Sequence, residues 1–220
     1  MYSKNFGASI LRTLSGLKEG NTLKPKFCSF ANCLCARKSS AGSSVVHINW
    51  TLDFLIILRA GIIRREDSLD FSEKNWDDVI NINLKAVFFL AQAVAKQFVK
   101  QKSGGKIINI ASMLSFQGGI RVPSYTAAKS GVRGITMTLA NEWAKYGINV
   151  NAIAPGYMAT NNTKALRADK KRNQEILDRI PAGRWGILDD LVGAAIFLAS
   201  RASDYVNGYT LAVDGGWLAR

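Results

Sequence analysis

Short apolar runs alternate with longer amphipathic stretches along the chain from Asp53 onward. The apolar runs have strand length, and continuous runs of this kind are typical of strands buried in a parallel sheet. They are 54–58, 106–112, 148–156 and 209–213. The stretches between them have the length and periodicity of helices. The clearest helices are 75–100, 124–147 and 189–200, with a further helical lid region before the last.

This order predicts a doubly wound α/β fold, in which helices cover both faces of a parallel sheet, because neighbouring parallel strands need right-handed helical crossovers. On the first helix the pattern predicts one buried side. It consists of Trp76, Val79, Ile80, Leu84, Phe88 and Ala91. Ligands of such sheets bind beyond the carboxyl ends of the strands, where Ser112, Pro155 and Gly156 fall.

Residues 1–52 have a different character, since they lack both a sustained helical stripe and strand alternation beyond short pieces. Glu19 is their only acidic residue, against seven lysines and arginines. We predict an atypical basic leader over 1–52, irregular or disordered, followed by domain residues 53–220. The rest of the net charge of +13 is scattered, so nucleic acid is not an expected partner, although binding by 1–52 stays an alternative. The longest apolar run, 52–58, is too short to span a membrane, and no membrane partner is expected.

All three cysteines lie in the leader, at Cys28, Cys33 and Cys35, and the only histidine follows at His47. A zinc site could be imagined there, but the usual C-x2-C pairing is absent, so we predict no metal. An odd number of cysteines and the lack of a secretory apolar region favour a reducing, cytoplasmic compartment.

Three residues suggest proton-transfer chemistry. Tyr125 and Lys129 are four apart and share a helix face, where an ammonium favours the phenolate and lowers the pKa of the tyrosine. Ser112 ends the preceding strand and can donate a hydrogen bond to a substrate oxygen. Each feature alone is ordinary, because Y-x3-K pairs are common on helix surfaces. The joint arrangement predicts interconversion of an alcohol and a carbonyl, with the tyrosine moving the proton and a bound nicotinamide moving the hydride.

At these residues the chain resembles the short-chain dehydrogenase/reductase family. The resemblance rests on NINL (81–84), the serine of IASM, YTAAK (125–129), NAIAPGYMAT (151–160) and VNGYTLAVDGG (206–216). It implies a Rossmann-like fold and an NAD-dependent enzyme that interconverts a secondary alcohol and a ketone. Within the family, the resemblance is strongest to enzymes of deoxy sugar acids, and it implies a homo-oligomer, usually a tetramer.

The resemblance also assigns roles to residues. Asn83 would hold a water of the proton relay, Ser112 would orient the substrate carbonyl, and Tyr125 would be the acid/base. Lys129 would lower the pKa of the tyrosine and bind the nicotinamide ribose. The implied cofactor-binding set is Ala60, Gly61, Tyr125, Lys129, Pro155, Gly156 and Thr160.

The sequence departs from the family pattern before Gly61. The glycine-rich turn that cradles the pyrophosphate has no counterpart in 1–52, and Leu58-Arg59-Ala60-Gly61 stands where the family has N-N-A-G. We therefore expect an N-terminally incomplete fold, which a misassigned upstream reading frame, a targeting peptide or a novel nucleotide-binding lobe would explain. A catalytically silent fragment or interaction protein that binds NAD weakly is the alternative function. If the chain is an enzyme, the candidate ligands for a substrate carboxylate are Arg64, Arg65 and Arg121.

Overall fold

The computed structural model describes the backbone of residues 55–58 and the whole of residues 61–220. Four parallel strands form one sheet in the order β1-β2-β3-β4. The strands are β1 (Leu55–Leu58), β2 (Gly105–Ile110), β3 (Ile148–Pro155) and β4 (Thr210–Val213). Each predicted strand is therefore present within one or two residues of its expected bounds. The leader 1–52, with its cysteines and His47, lies outside the described residues.

The crossovers between the strands contain the helices. These are α1 (Glu73–Ile80), α2 (Ala86–Gln101), α3 (Pro123–Trp143), α4 (Lys164–Ala168), α5 (Lys170–Arg179) and α6 (Val192–Ala199). Residues 61–220 also contain six short 3₁₀ turns, at Met113–Ser115, Ala144–Tyr146, Asn161–Thr163, Leu188–Leu191, Arg201–Ser203 and Trp217–Ala219. The predicted lid region corresponds to α4 and α5.

Helices pack on both faces of the sheet, which confirms the predicted doubly wound class. Successive strand residues point to opposite faces. Ile107 and Val150 belong to one core, formed with α2 and α3, whereas Ile108 and Ile153 belong to a second core, formed with α6. A third, smaller apolar cluster joins the turn after β2 to α5 and Trp217 near the C-terminus.

The first crossover helix departs from the prediction in its middle. Helix α1 begins at Glu73, because the Ser72 side chain caps it by accepting the Asn75 N–H. Between α1 and α2 the chain makes a π-turn at Asn81–Lys85. In a uniform α-helix Val79 and Val87, eight residues apart, would be separated by about 2.2 turns. The extra residue that a π-turn takes up brings both onto the buried face.

The buried stripe of this helix is therefore not quite the predicted one. It consists of Val79, Asn83, Val87, Ala91, Val94, Ala95 and Phe98. Val79 and Ala91 are buried as predicted, whereas Ile80, Leu84 and Phe88 are only partly buried. Trp76 is 39% exposed, so its placement in the core was wrong. A regular helical period fails here because the stripe crosses the π-turn.

By length and composition alone, the 29-residue helical stretch from Glu73 to Gln101 could cross a membrane. Its stripe from Val79 to Phe98 is instead buried in the core, against α3 and the sheet. An apolar helix is expected at this position, since it covers one face of a parallel sheet.

Candidate active site

The strand register places three of the candidate positions side by side. Leu58 pairs with Asn109, and Asn109 pairs with Ala152. Gly61, Ser112 and Pro155 each follow one member of this row by three residues. They therefore share the carboxyl edge of the sheet, where ligands of doubly wound folds bind.

Ser112 starts the 3₁₀ turn Met113–Ser115 and is buried. Its Oγ accepts the Leu114 N–H at 3.2 Å, which leaves the hydroxyl hydrogen free to donate elsewhere. The Ser112 side chain also acts on the phenol of Tyr125, and its hydrogen-bonding effect lowers the pKa of Tyr125. The structure thus places the predicted serine and tyrosine near each other.

Tyr125 lies in the first turn of α3, which starts at Pro123, a residue suited to the first helical position. Burial raises the pKa of Tyr125 above its ordinary value of 10.0, and this effect outweighs both the hydrogen bond from Ser112 and the positive charge of Arg65. A lowered pKa had been expected from Lys129. Instead the Lys129 Nζ lies 5.8 Å from the centre of the tyrosine ring and is directed to another acceptor.

That acceptor is the carbonyl oxygen of Ile110, near the end of β2, at 2.6 Å from the Lys129 Nζ. Lys129 is buried, and burial lowers its pKa from 10.5 to about 8. An ammonium carries three N–H donors. One is used by Ile110, so two remain for a ribose hydroxyl or a water molecule.

Asn83 is the central residue of the π-turn, and its side chain is fully buried. Its amide donates to the Ile62 carbonyl at 2.8 Å and its oxygen accepts the Ile62 N–H at 2.9 Å. The pair of hydrogen bonds ties the segment after β1 to the helix that crosses beneath it. The sequence pattern did not predict either the π-turn or this bond, although a buried polar residue inside an apolar stripe is a signal for both.

The remaining cofactor candidates lie around the same edge. Gly156 donates its N–H to the Val213 carbonyl at 3.0 Å. A Cβ at this position would stand 2.6 Å from the Asp214 Cα, so only glycine allows this close approach of the two chain segments. Thr160 caps the turn Asn161–Thr163. Ala60 lies outside the described residues.

The three candidate arginines differ in their surroundings. Arg64 lies 3.9 Å from Asp78, and Arg121 lies 3.5 Å from Asp67. Within residues 61–220, Arg65 has no acidic partner, and its charge acts on Tyr125. Arg65 is thus the arginine that the structure associates with the tyrosine.

A doubly wound sheet that presents a serine, a tyrosine and a lysine at its carboxyl edge is the arrangement of short-chain dehydrogenases/reductases, and the chain belongs to this family. A family model described as enoyl-(acyl carrier protein) reductase matches residues 39–218. The chain is similar to 2-dehydro-3-deoxy-D-gluconate 5-dehydrogenase of Dickeya dadantii, with 76% identity over 166 residues. It is 74% identical to the protein of the same name from Escherichia coli, also over 166 residues.

The chain is also similar to dehydrogenases whose structures have been solved. A protein of Agrobacterium tumefaciens described as a 2-deoxy-D-gluconate 3-dehydrogenase, with bound NADP, is 65% identical with a TM-score of 0.75. The match covers 76% of this chain and 68% of that one. A gluconate 5-dehydrogenase of Burkholderia cenocepacia in complex with NADP and tartrate is 44% identical, with a TM-score of 0.74, over 76% of this chain and 65% of that one. The two matched enzymes from Dickeya and Escherichia are each covered over 66% of their length, and 76% of this chain takes part.

Proposed function

We propose that the chain interconverts a secondary alcohol and a ketone on a deoxy sugar acid, 2-dehydro-3-deoxy-D-gluconate or 2-deoxy-D-gluconate, with NAD as the hydride carrier. The observation that carries the proposal is the grouping of a buried Ser112 and a buried Lys129 around Tyr125, whose ring centre lies 5.8 Å from the Lys129 Nζ, at the carboxyl edge of the sheet. The names of the relatives from Dickeya dadantii and Escherichia coli support the substrate class and a role in carbohydrate metabolism.

In this proposal each residue has a defined task. Ser112 donates its hydroxyl hydrogen to the reacting oxygen of the substrate, and this stabilises the negative charge that develops there. Tyr125 gives a proton to that oxygen or takes it away. The Lys129 ammonium favours the phenolate when it turns toward the tyrosine, and it binds a ribose hydroxyl. Asn83 supports a water through which Lys129 exchanges its proton with solvent.

The site's donor set fits a nicotinamide dinucleotide, which supplies the hydride when it is bound. Gly61 and Gly156 lie at this edge, where a Cβ would face Asn83 at 3.8 Å and Asp214 at 2.6 Å, so both glycines allow close packing of the chain around the site. We propose that Pro155, Gly156 and Thr160 border the nicotinamide, and that Ala60 and Gly61 border its ribose. Because the two solved relatives carry NADP, NADP belongs in the assay beside NAD.

For the carboxylate of the substrate, we propose Arg65 as the ligand. Arg64 and Arg121 are each paired with an aspartate, whereas the charge of Arg65 acts on Tyr125. A guanidinium presents paired donors that match a carboxylate. The gluconate 5-dehydrogenase of Burkholderia cenocepacia was solved with tartrate, a dicarboxylate, which agrees with an acid-binding site in this family.

We also propose a homo-oligomer in the cytoplasm, a tetramer by resemblance to the family. The support on the described surface is an apolar area on the first crossover helix. It comprises Ile82, Phe89 and Leu90, which expose 38%, 52% and 47% of their surface. A second copy of the chain would cover such an area.

The decisive experiment follows the absorbance of reduced nicotinamide when the purified chain is mixed with either sugar acid and NAD or NADP. We expect turnover that Tyr125→Phe abolishes and that Tyr205→Phe, a change at a fully exposed tyrosine, leaves intact. Folded protein that shows no turnover would contradict the proposal. A calorimetric titration with NAD then tests the alternative, because a silent fragment would bind the dinucleotide weakly as well.

A further inference from the structure

A second buried serine, Ser115, lies between the candidate serine and the helix that carries the tyrosine. Only 5% of its surface is exposed. Its Oγ donates to the Lys129 carbonyl oxygen at 2.6 Å and accepts the Ser112 N–H at 3.3 Å. One hydroxyl therefore connects the backbone of two candidate catalytic residues that are 17 positions apart in the sequence.

The hydrogen bond from Ser115 to the Lys129 carbonyl oxygen is made in addition to the backbone hydrogen bonds of helix α3. A carbonyl oxygen has two lone pairs, so the Lys129 carbonyl, in the interior of α3, can accept a side-chain hydroxyl beside its helical partner. The neighbouring Ser130 makes a second, longer tie between the same two elements, from its Oγ to the Leu114 carbonyl at 3.4 Å. The 3₁₀ turn Met113–Ser115 is thus fixed to α3 at the level of Lys129.

The position of Ser112 depends on this tie. Ser112 has an extended backbone, and within residues 61–220 its N–H is bonded to the Ser115 hydroxyl. Tyr125 lies one helical turn before Lys129, so a displacement of the turn relative to α3 changes the separation of the Ser112 and Tyr125 hydroxyls. Within residues 61–220, Ser115 is the side chain that bonds to the backbone of both Ser112 and Lys129.

We infer that Ser115 is a positioning residue: its hydroxyl holds the Ser112 turn against α3 and sets the alignment of Ser112 with Tyr125 and Lys129. The inference rests on the proposed oxidoreductase function of the site. Ser115 itself touches neither substrate nor cofactor in this assignment, and it acts through Ser112 and Lys129.

Ser115→Ala removes the tie, and Ser203→Ala is the matched control. Ser203 is fully buried and donates to the Leu198 and Ser200 carbonyls at 3.1 and 3.0 Å. It lies near the amino ends of the strands, since its neighbour Asp204 bonds Lys106 at the start of β2. Both changes delete a buried hydroxyl with two hydrogen bonds, but only Ser115 adjoins the site.

In the turnover assay, we expect Ser115→Ala to lower kcat by about tenfold to a hundredfold, the scale of a misaligned catalytic group, with little change in KM. Ser203→Ala should leave both constants unchanged. Ser115→Cys, whose thiol is a weak donor and acceptor, is the second variant if the alanine protein does not fold, and kcat should also fall there. Equal kcat values for the Ser115 and Ser203 variants would overturn the inference.

A second readout needs neither cofactor nor turnover. NMR titration of ¹³C-labelled lysine, with the Lys129 signal assigned by Lys129→Met, follows protonation of the ammonium directly. We expect the Lys129 pKa to rise from about 8 toward 10.5 in Ser115→Ala, because a loosened turn admits water. It should stay unchanged in Ser203→Ala. If the wild-type chain shows no turnover, the proposed function fails, while an unchanged Lys129 titration in Ser115→Ala separately refutes the positioning role.

Discussion

The ammonium group of Lys129 is buried in the interior of the protein. Its desolvation should lower the free energy of unfolding. Its pKa is about 8 in the folded chain and 10.5 when it is solvated. Between these values the unfolded chain binds more protons, so stability rises with pH across this window. Below pH 8 both states are protonated, and the full cost of the buried ammonium remains.

We therefore expect Lys129→Met to increase the free energy of unfolding at pH 7, by up to about 3 kcal/mol. The advantage should narrow as the pH rises from 8 to 10.5. Urea unfolding at a series of pH values measures it, with Lys100→Met, at an exposed lysine, as the control. A difference between Lys129→Met and wild type that does not change with pH would count against a buried, charged Lys129.

Arg65 provides a second test at the scale of one residue. Arg65→Gln should raise the KM for the sugar acid by about tenfold, the value of one charge-assisted hydrogen bond, while kcat changes less. Arg64→Gln is the matched control, because Arg64 is the neighbouring exposed arginine and lies 3.9 Å from Asp78. Similar KM values for the two variants would show that Arg65 is an ordinary surface arginine.

At the scale of the elements, the π-turn determines what the first crossover helix can do. It directs Asn83 into the core, where its amide binds both backbone groups of Ile62. We expect Asn83→Leu to cost about 1–3 kcal/mol of stability, because the partly buried Ile62 N–H and carbonyl lose their partners.

Denaturant unfolding measures this loss, and Asn81→Leu, an exposed position of the same turn, is the control. An equal loss of stability in both variants would mean that the hydrogen bonds of Asn83 to Ile62 do not stabilise the fold. Native-state hydrogen exchange adds a local readout, since the Ile62 amide should lose protection only in Asn83→Leu.

The elements also show what the sequence could predict. The strands and helices were recoverable because short, largely apolar runs alternate with helix-length stretches, and signals such as Ser72 before α1 and the residues after Gln101 mark helix ends. The grouping of Ser112, Tyr125 and Lys129 followed from strand ends and helical spacing. The burial of Lys129, its bond to Ile110 and the link through Ser115 depend on tertiary packing between distant segments, which local periodicity does not encode.

At the scale of the whole molecule, the exposed apolar area of Ile82, Phe89 and Leu90 predicts association. Phe89→Glu should shift the chain to smaller species in sedimentation velocity, because a charge would be buried at the contact between copies. Leu69→Glu, at a nearly fully exposed residue of a turn, should leave the assembly unchanged. Identical sedimentation of Phe89→Glu and wild type would exclude this area from the contact.

The π-turn at Asn81–Lys85 has a consequence for insertions and deletions in this region. Such a turn holds one residue more than an ordinary helical turn, so the chain carries a spare residue at this point. Loss of a single residue there would let the helix close as a regular α-helix, with Val79 and Val87 still on its buried face. The fold would tolerate that loss, whereas the two hydrogen bonds from the Asn83 side chain to the Ile62 backbone would disappear. Homologous chains could therefore gain or lose these two bonds through the insertion or deletion of one residue.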